Sequence, residues 1–326
     1  MAKVSVLGAG GWGLALALTL YSNQNDVTVW SPFENEVNEL LTKRTNERLL
    51  KGVILPKEIK ITNNLADVSG SAITVIATPS FAVRETAQKL KEIKNLGIIV
   101  NVSKGLEKGS LKRLSQIISE ELPTTSVVVL SGPSHAEEVA RKIPTMLTAA
   151  SDDMDSAAMV QRIFSNEFLR VYTNTDVVGV ELGGALKNVI AVCAGLCDGM
   201  GLGDNSKAAL ITRGLAEMIR LGIAMGAQSS TFSGLTGLGD LIVTCTSKHS
   251  RNNRFGNLVG RGVAVEDALN EVGTVEGYYA CKMAYELSQK YGISAAIITT
   301  CYELLYNGRS TQDIVKELMT RPFKEE

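Results

Sequence analysis

Lys187 stands in Glu181-Leu182-Gly183-Gly184-Ala185-Leu186-Lys187-Asn188-Val189-Ile190-Ala191, a stretch otherwise almost without charge. A lysine on so apolar a helix is costly unless it faces a polar cleft. In a cleft, burial or a neighbouring cation lowers its pKa and fits it for proton transfer. The alternative is a side chain snorkelling at a helix edge. Histidine is the commoner residue for that task, yet the chain has only His135 and His249. Lys104, in Val102-Ser103-Lys104-Gly105, is either a second positive charge that polarises a carbonyl or a solvated loop lysine. Asp240, in Gly237-Leu238-Gly239-Asp240-Leu241-Ile242, either orients an ammonium, accepts a substrate hydroxyl or caps a helix. The one dense basic patch is Lys248-His249-Ser250-Arg251-Asn252-Asn253-Arg254. Its Ser, Arg and Asn donors at the start of a helix suit a phosphate monoester, with a solvated loop as the competing reading. Glu276, before another helix, is placed to hydrogen-bond a cofactor or to cap.

These residues need a scaffold, and it begins at the N-terminus. Lys3-Val4-Ser5-Val6-Leu7 is a short β-branched run that ends at Gly8-Ala9-Gly10-Gly11-Trp12-Gly13, with helix formers following at once. Strand, glycine turn, helix is the setting in which G-x-G-x-x-G reads as a dinucleotide site. Gly8 permits the turn, Gly10 lets backbone approach a pyrophosphate, and Gly13 lets helix pack on strand. The helix N-terminus offers N–H groups and a positive dipole end to the pyrophosphate. Further strands are expected at 26–30, 59–61, 72–77, 98–102, 127–130, 145–150 and 169–172, with helices between them, including a polar one over 35–51. The alternation predicts an α/β, Rossmann-like, doubly wound parallel sheet over residues 1–180. Helical stretches are expected at 181–200, 206–227, 234–246, 251–260, 263–270, 277–291 and 310–320, so residues 181–326 read as an all-helical substrate-binding domain. Ligands of open α/β sheets lie beyond the C-terminal strand ends, where Lys104 and the Gly132–Ala136 turn fall, and the helical domain is expected to close over them.

Composition excludes several classes. The 326 residues carry 33 basic and 34 acidic side chains, net −1, which argues against a nucleic-acid or polybasic membrane surface. No membrane span and no secretory signal are expected. Five cysteines, an odd number, read as reduced thiols in a cytoplasmic protein. Cys193 and Cys197 lie one helical turn apart without nearby histidines, so no metal site is expected there. The strand after Asp26 ends in Trp30-Ser31-Pro32-Phe33-Glu34, with neither the acid that would favour NAD nor the arginine that would favour NADP in the first positions. Relaxed preference between NADH and NADPH is the expectation, with Glu34 either turned toward the ribose or exposed on the next helix.

Taken together, Gly8–Gly13, Val102-Ser103-Lys104-Gly105, Ser131-Gly132-Pro133-Ser134-His135-Ala136, Leu186-Lys187-Asn188, the run Gly203–Gly214, Gly237–Leu241, Ser250-Arg251-Asn252 and Val275-Glu276-Gly277 resemble the bacterial-type NAD(P)-dependent glycerol-3-phosphate dehydrogenases along essentially the whole chain. The resemblance implies reversible reduction of dihydroxyacetone phosphate to sn-glycerol 3-phosphate for phospholipid synthesis. It implies Lys187 as the proton acceptor. It implies a substrate pocket of Lys104, Gly132, Ser134, Lys187, Asp240, Ser250, Arg251 and Asn252. It implies cofactor contacts from Gly11, Trp12, Lys104, Ala136, Arg251 and Glu276, beside Gly8, Gly10 and Gly13 of the turn. Family members often carry Ser where Gly11 stands and basic residues where Ser31 and Pro32 stand. Many such enzymes pair through helical domains, so a homodimer is expected. The alternative enzyme class is a β-hydroxyacid dehydrogenase, which would need a carboxylate site. A redox-sensing NADH-binding protein would need a basic recognition helix that this chain lacks.

Overall fold

Val- and Ile-rich runs with both faces buried make the sheet of the first unit, Met1–Glu181. The computed structural model describes residues 1–323. The strands are β1 (Lys3–Leu7), β2 (Asp26–Trp30), β3 (Lys60–Thr62), β4 (Ile73–Ile76), β5 (Ile98–Asn101), β6 (Val127–Ser131), β7 (Thr145–Ala150) and β8 (Leu169–Asn174). Their order is β3-β2-β1-β4-β5-β6-β7-β8. The first six run parallel, with Val4 opposite Val27 on one side and Ile73 on the other. This is the doubly wound sheet expected, with one difference. β7 lies antiparallel to β6 and β8 runs parallel to β7, so the last two strands are reversed. The link between β6 and β7 holds only α5 (Ala136–Ala140), too short a helix to cover the sheet as a parallel crossover normally does.

The other helices of this unit are α1 (Gly11–Ser22), α2 (Glu34–Lys43), α3 (Val83–Leu90), α4 (Leu114–Glu121) and α6 (Met154–Phe164). The two-residue strand period sorts side chains between two cores. Val4, Val6, Val29 and Val75 pack with Leu14, Leu16, Val160 and Phe164 on one face. Leu7, Trp30, Ile76 and Ile99 pack with Val83, Leu90, Ile117 and Ile118 on the other. Ser5 is a buried polar residue within β1, and its hydroxyl shares a 2.7 Å hydrogen bond with the Ser71 hydroxyl. The polar helix expected over 35–51 stops at Lys43. Arg44 turns left-handed with φ 55°, and its guanidinium ties down the carbonyls of Ile59 and Lys57, which makes 44–59 a fastened loop.

The second unit begins at Leu182 and contains no strand among the described residues. Its long helix, α7 (Val177–Met200), starts four residues before Glu181, inside the first unit. Then come α8 (Gly203–Ala224), α9 (Ser229–Phe232), a π-turn over Leu235–Gly239, α10 (Asp240–Thr246), α11 (Arg251–Gly260), α12 (Val265–Val272), α13 (Glu276–Lys290), α14 (Ala296–Asn307) and α15 (Thr311–Met319). The sequence reading missed α14. By length and composition α7 is apolar enough to cross a membrane, but 89% of its most apolar window is buried inside the protein, so it is a core helix. Helices α7 and α11 meet backbone to backbone. A Cβ on Gly195 would lie 2.0 Å from the Asn253 carbonyl oxygen, and one on Gly256 would lie 2.0 Å from that of Val192. Glycine at both positions therefore sets how closely the basic patch at the start of α11 sits against the lysine helix.

Candidate active site

The glycine turn of the first unit satisfies two different requirements. Gly8 has φ +114°, and a Cβ there would meet the Ala77 carbonyl oxygen at 2.7 Å; one on Gly13 would meet the Gly8 carbonyl oxygen at 2.0 Å. Both glycines are demanded by the protein's own packing. Gly10 is different, because a Cβ on it meets nothing within 4 Å. Gly10 precedes α1 with an extended backbone, and neither a side-chain cap nor a first-turn acid covers the helix start. Uncapped N–H groups beside a bare backbone suit a pyrophosphate. Gly11 places its hypothetical Cβ 2.6 Å from the Leu49 carbonyl oxygen and 3.7 Å from the Ala136 Cβ, which brings the 44–59 loop and the start of α5 to the same turn. A side chain at this position would collide with the Leu49 carbonyl unless the loop shifted. Trp12 is half-buried against the core. Gly13→Ala should therefore cost about 3 kcal/mol or more of stability, the upper range for overpacking. Gly10→Ala should leave the melting temperature near the parent value and weaken NADH binding. An unchanged melting point for the first variant, or unchanged NADH affinity for the second, contradicts these assignments.

At the C-terminal ends of β5 and β6 three expected residues do converge. Lys104 Nζ donates to the Gly132 carbonyl oxygen at 2.9 Å and to Ser134 Oγ at 3.2 Å, and Ser134 Oγ donates to the same carbonyl at 2.9 Å. Gly132 holds φ +136°, which a side chain would strain. The Ser103 hydroxyl fastens the lysine's loop to the Thr78 carbonyl at 2.5 Å. Ser131, one residue before Gly132, is a buried residue whose hydroxyl has no hydrogen-bond partner among the described residues; the sequence reading did not single it out.

In the second unit, Lys187 is 6% exposed and Asp240 1%. Lys187 Nζ donates to Asp240 Oδ1 and to Thr244 Oγ1, each at 2.6 Å. Thr244 in turn donates to the Asp240 backbone carbonyl at 2.6 Å. The snorkelling alternative is thereby removed. So is the capping role for Asp240, since the capping position of α10 is Gly239. The approach is close because Gly183 on α7 faces the π-turn, where a Cβ would lie 2.5 Å from the Thr236 carbonyl oxygen. Thr244 went unnoticed in the sequence. Its only signal is the i, i+4 spacing from Asp240, which puts both on one helix face.

The basic patch divides. Ser250 caps α11, its buried Oγ accepting the Asn253 N–H at 3.2 Å. Arg251 is exposed at the first helical position. Asn252 is buried and engaged inward. Its Nδ2 donates to Asn188 Oδ1 at 3.0 Å, and its Oδ1 accepts the Gly277 N–H at 2.9 Å. This amide chain joins the residues that follow Lys187, Arg251 and Glu276, and so holds α7, α11 and α13 in one arrangement. Glu276 is the first residue of α13, whose capping position is Val275. Among the described residues no group of His, Cys, Asp and Glu is arranged to hold a metal.

The family model described as NAD-dependent glycerol-3-phosphate dehydrogenase N-terminus matches residues 3–157, and its C-terminal counterpart matches 176–316. The chain is 51% identical over 332 residues to glycerol-3-phosphate dehydrogenase (NAD(P)+) of Lysinibacillus sphaericus, covering 100% of this chain and 98% of that protein. It is 48% identical over 329 residues to the same-named protein of Clostridium perfringens, covering 100% and 99%. The crystal structure of glycerol-3-phosphate dehydrogenase from Coxiella burnetii superposes with a TM-score of 0.94 at 37% identity, covering 98% of this chain and 99% of that one. The chain belongs to the NAD-dependent glycerol-3-phosphate dehydrogenase family.

Proposed function

We propose that the protein reduces dihydroxyacetone phosphate reversibly to sn-glycerol 3-phosphate with NAD(P)H, in the cytoplasm, as a supply for phospholipid synthesis. Residues 1–180 act as the dinucleotide-binding domain and 181–326 as the substrate domain. The observation that supports this best is the buried Lys187–Asp240–Thr244 cluster, which holds a lysine in a stretch of α7 that is otherwise almost without charge. Gly8, Gly10, Gly11, Trp12, Gly13, Lys104, Ala136, Arg251 and Glu276 would hold the dinucleotide, which supplies the hydride. Ser250 and Arg251, with the N–H groups at the start of α11, bind the substrate phosphate. Asn252 serves that site through its hold on Asn188 and Gly277. Anchoring the phosphate spends binding energy on orienting the C2 carbonyl. Lys187 gives a proton from Nζ to the C2 oxygen as that carbon is reduced, and is later recharged from solvent. Asp240 and Thr244 aim the ammonium, and Lys104 contributes positive charge to the carbonyl.

The test is a spectrophotometric assay of NADH oxidation with dihydroxyacetone phosphate, with unphosphorylated dihydroxyacetone and a β-keto acid as controls. Turnover dependent on the phosphorylated ketone is expected, and its absence overturns the reading. Arg251→Ala should raise KM for dihydroxyacetone phosphate about ten- to a hundredfold, the worth of a charged hydrogen bond, with a smaller effect on kcat. Equal KM values for variant and parent would remove Arg251 from the phosphate site.

A further inference from the structure

The position just after β2 is where a nucleotide-binding sheet of this kind normally carries the acid that holds the adenosine ribose. Here it is Ser31, 1% exposed, with its backbone N–H bonded to the Thr62 carbonyl at 3.1 Å. Its hydroxyl accepts the Phe33 N–H at 3.3 Å and donates to Glu36 Oε2. Glu36 lies in the first turn of α2 and reaches back over five residues to the strand end. The carboxylate absent from the strand tip in sequence is therefore delivered there by a side chain. Glu34, the other candidate, is an exposed first-turn residue.

Cations that could answer a 2′-phosphate are committed elsewhere or lie on another segment. Residues 31–36 include none. Lys43 ends α2 and pairs with Glu39 at 3.1 Å, and the Arg44 guanidinium is bonded to the Ile59 and Lys57 carbonyls. Arg48 and Lys51 belong to the loop that passes Gly11.

We propose that Glu36, tethered by Ser31, is the residue that selects NADH over NADPH: it accepts the ribose 2′-hydroxyl and repels a 2′-phosphate. The inference rests on the dinucleotide reading of the Gly8–Gly13 turn and departs from the relaxed preference expected from sequence, because Glu36, not weighed there, reaches the strand tip. It is tested by calorimetric titration of the full-length protein with NADH and with NADPH, no ketone present. The parent should bind NADH about tenfold or more tighter, the scale of one like-charge contact near a protein surface. Glu36→Gln keeps the tether and removes the charge, and should bring the two affinities to within about threefold, chiefly by strengthening NADPH. Ser31→Ala keeps the charge and frees it to move, and should narrow the ratio part of the way. Removing Arg48 and Lys51 together should leave the parent's preference in place. Equal affinities in the parent, tighter NADPH, or a ratio unmoved by Glu36→Gln overturns the proposal. Binding of neither nucleotide would instead overturn the dinucleotide reading. The expected ratios without turnover of dihydroxyacetone phosphate would uphold Glu36 and sink only the substrate assignment.

Discussion

Lys187→Ala lowers kcat for dihydroxyacetone phosphate reduction by about a hundred- to ten-thousandfold, the range for loss of a positioned proton donor. NADH affinity should stay near the parent value, because the glycine turn proposed to bind the pyrophosphate lies in the first unit whereas Lys187 lies in the second. The variant carries a structural cost as well. It strands the Asp240 carboxylate, 1% exposed, without its cation, and breaking a buried pair this way costs about 3–5 kcal/mol. Stability and chemistry are separated by a second variant, Lys187→Met combined with Asp240→Asn, which removes both charges while filling similar volume. That protein should melt closer to the parent and still lack turnover. Exogenous methylamine should restore part of the lost rate in Lys187→Ala, since a small amine can enter the space the side chain leaves. Near-parent turnover in either folded variant would take the proton-transfer role away from Lys187.

The scaffold was legible where one local signal decided the outcome. Apolar runs marked all eight strands, and the glycine turn marked where β1 passes into α1. What stayed hidden depended on partners distant in the chain. Helix α14 opens with Ala296-Ile297-Ile298-Thr299-Thr300, a β-branched run that reads poorly as helix. Its cap is not local: the buried Glu217 carboxylate on α8 accepts the N–H groups of Ile297 at 2.9 Å and Ile298 at 3.1 Å. Burial pushes the Glu217 pKa up, so the contact is held against a desolvation cost that the helix start repays. The reversal at β7 was likewise invisible, because strand direction is set by pairing and leaves no mark in strand composition.

The chemistry divides the same way. Lys187 stood out by contrast with its neighbours. Nothing local to Asp240 could decide between cap and ion partner, because that choice rests on which helix packs against α10. Asn252 was read as a phosphate ligand from its place in Ser250-Arg251-Asn252. Its amide instead spans Asn188 and Gly277, which a linear motif cannot show. Glu36 was overlooked because the acid was sought at the strand tip in sequence rather than in space.

Asp240→Asn is the sharper test of how the lysine is controlled. The amide keeps the shape and one acceptor for Lys187 Nζ, now 2.6 Å from Oδ1, and removes the charge. Beside a carboxylate the ammonium form is favoured; without it, burial favours the neutral amine. Ketone reduction consumes the ammonium form, so the basic limb of the kcat profile for reduction should move to lower pH. Glycerol 3-phosphate oxidation consumes the neutral amine, so its acidic limb should move in the same direction. Asp240→Ala should be worse in a different way, costing about 3–5 kcal/mol of stability because the buried ammonium of Lys187 loses the carboxylate it is paired with. Thr244→Val removes only a neutral acceptor and should cost about 1 kcal/mol with its pH limbs in place. Limbs that stay fixed in Asp240→Asn while the rate falls would make Asp240 a packing residue, and the charge on Lys187 would then have to be held by something other than its nearest acid.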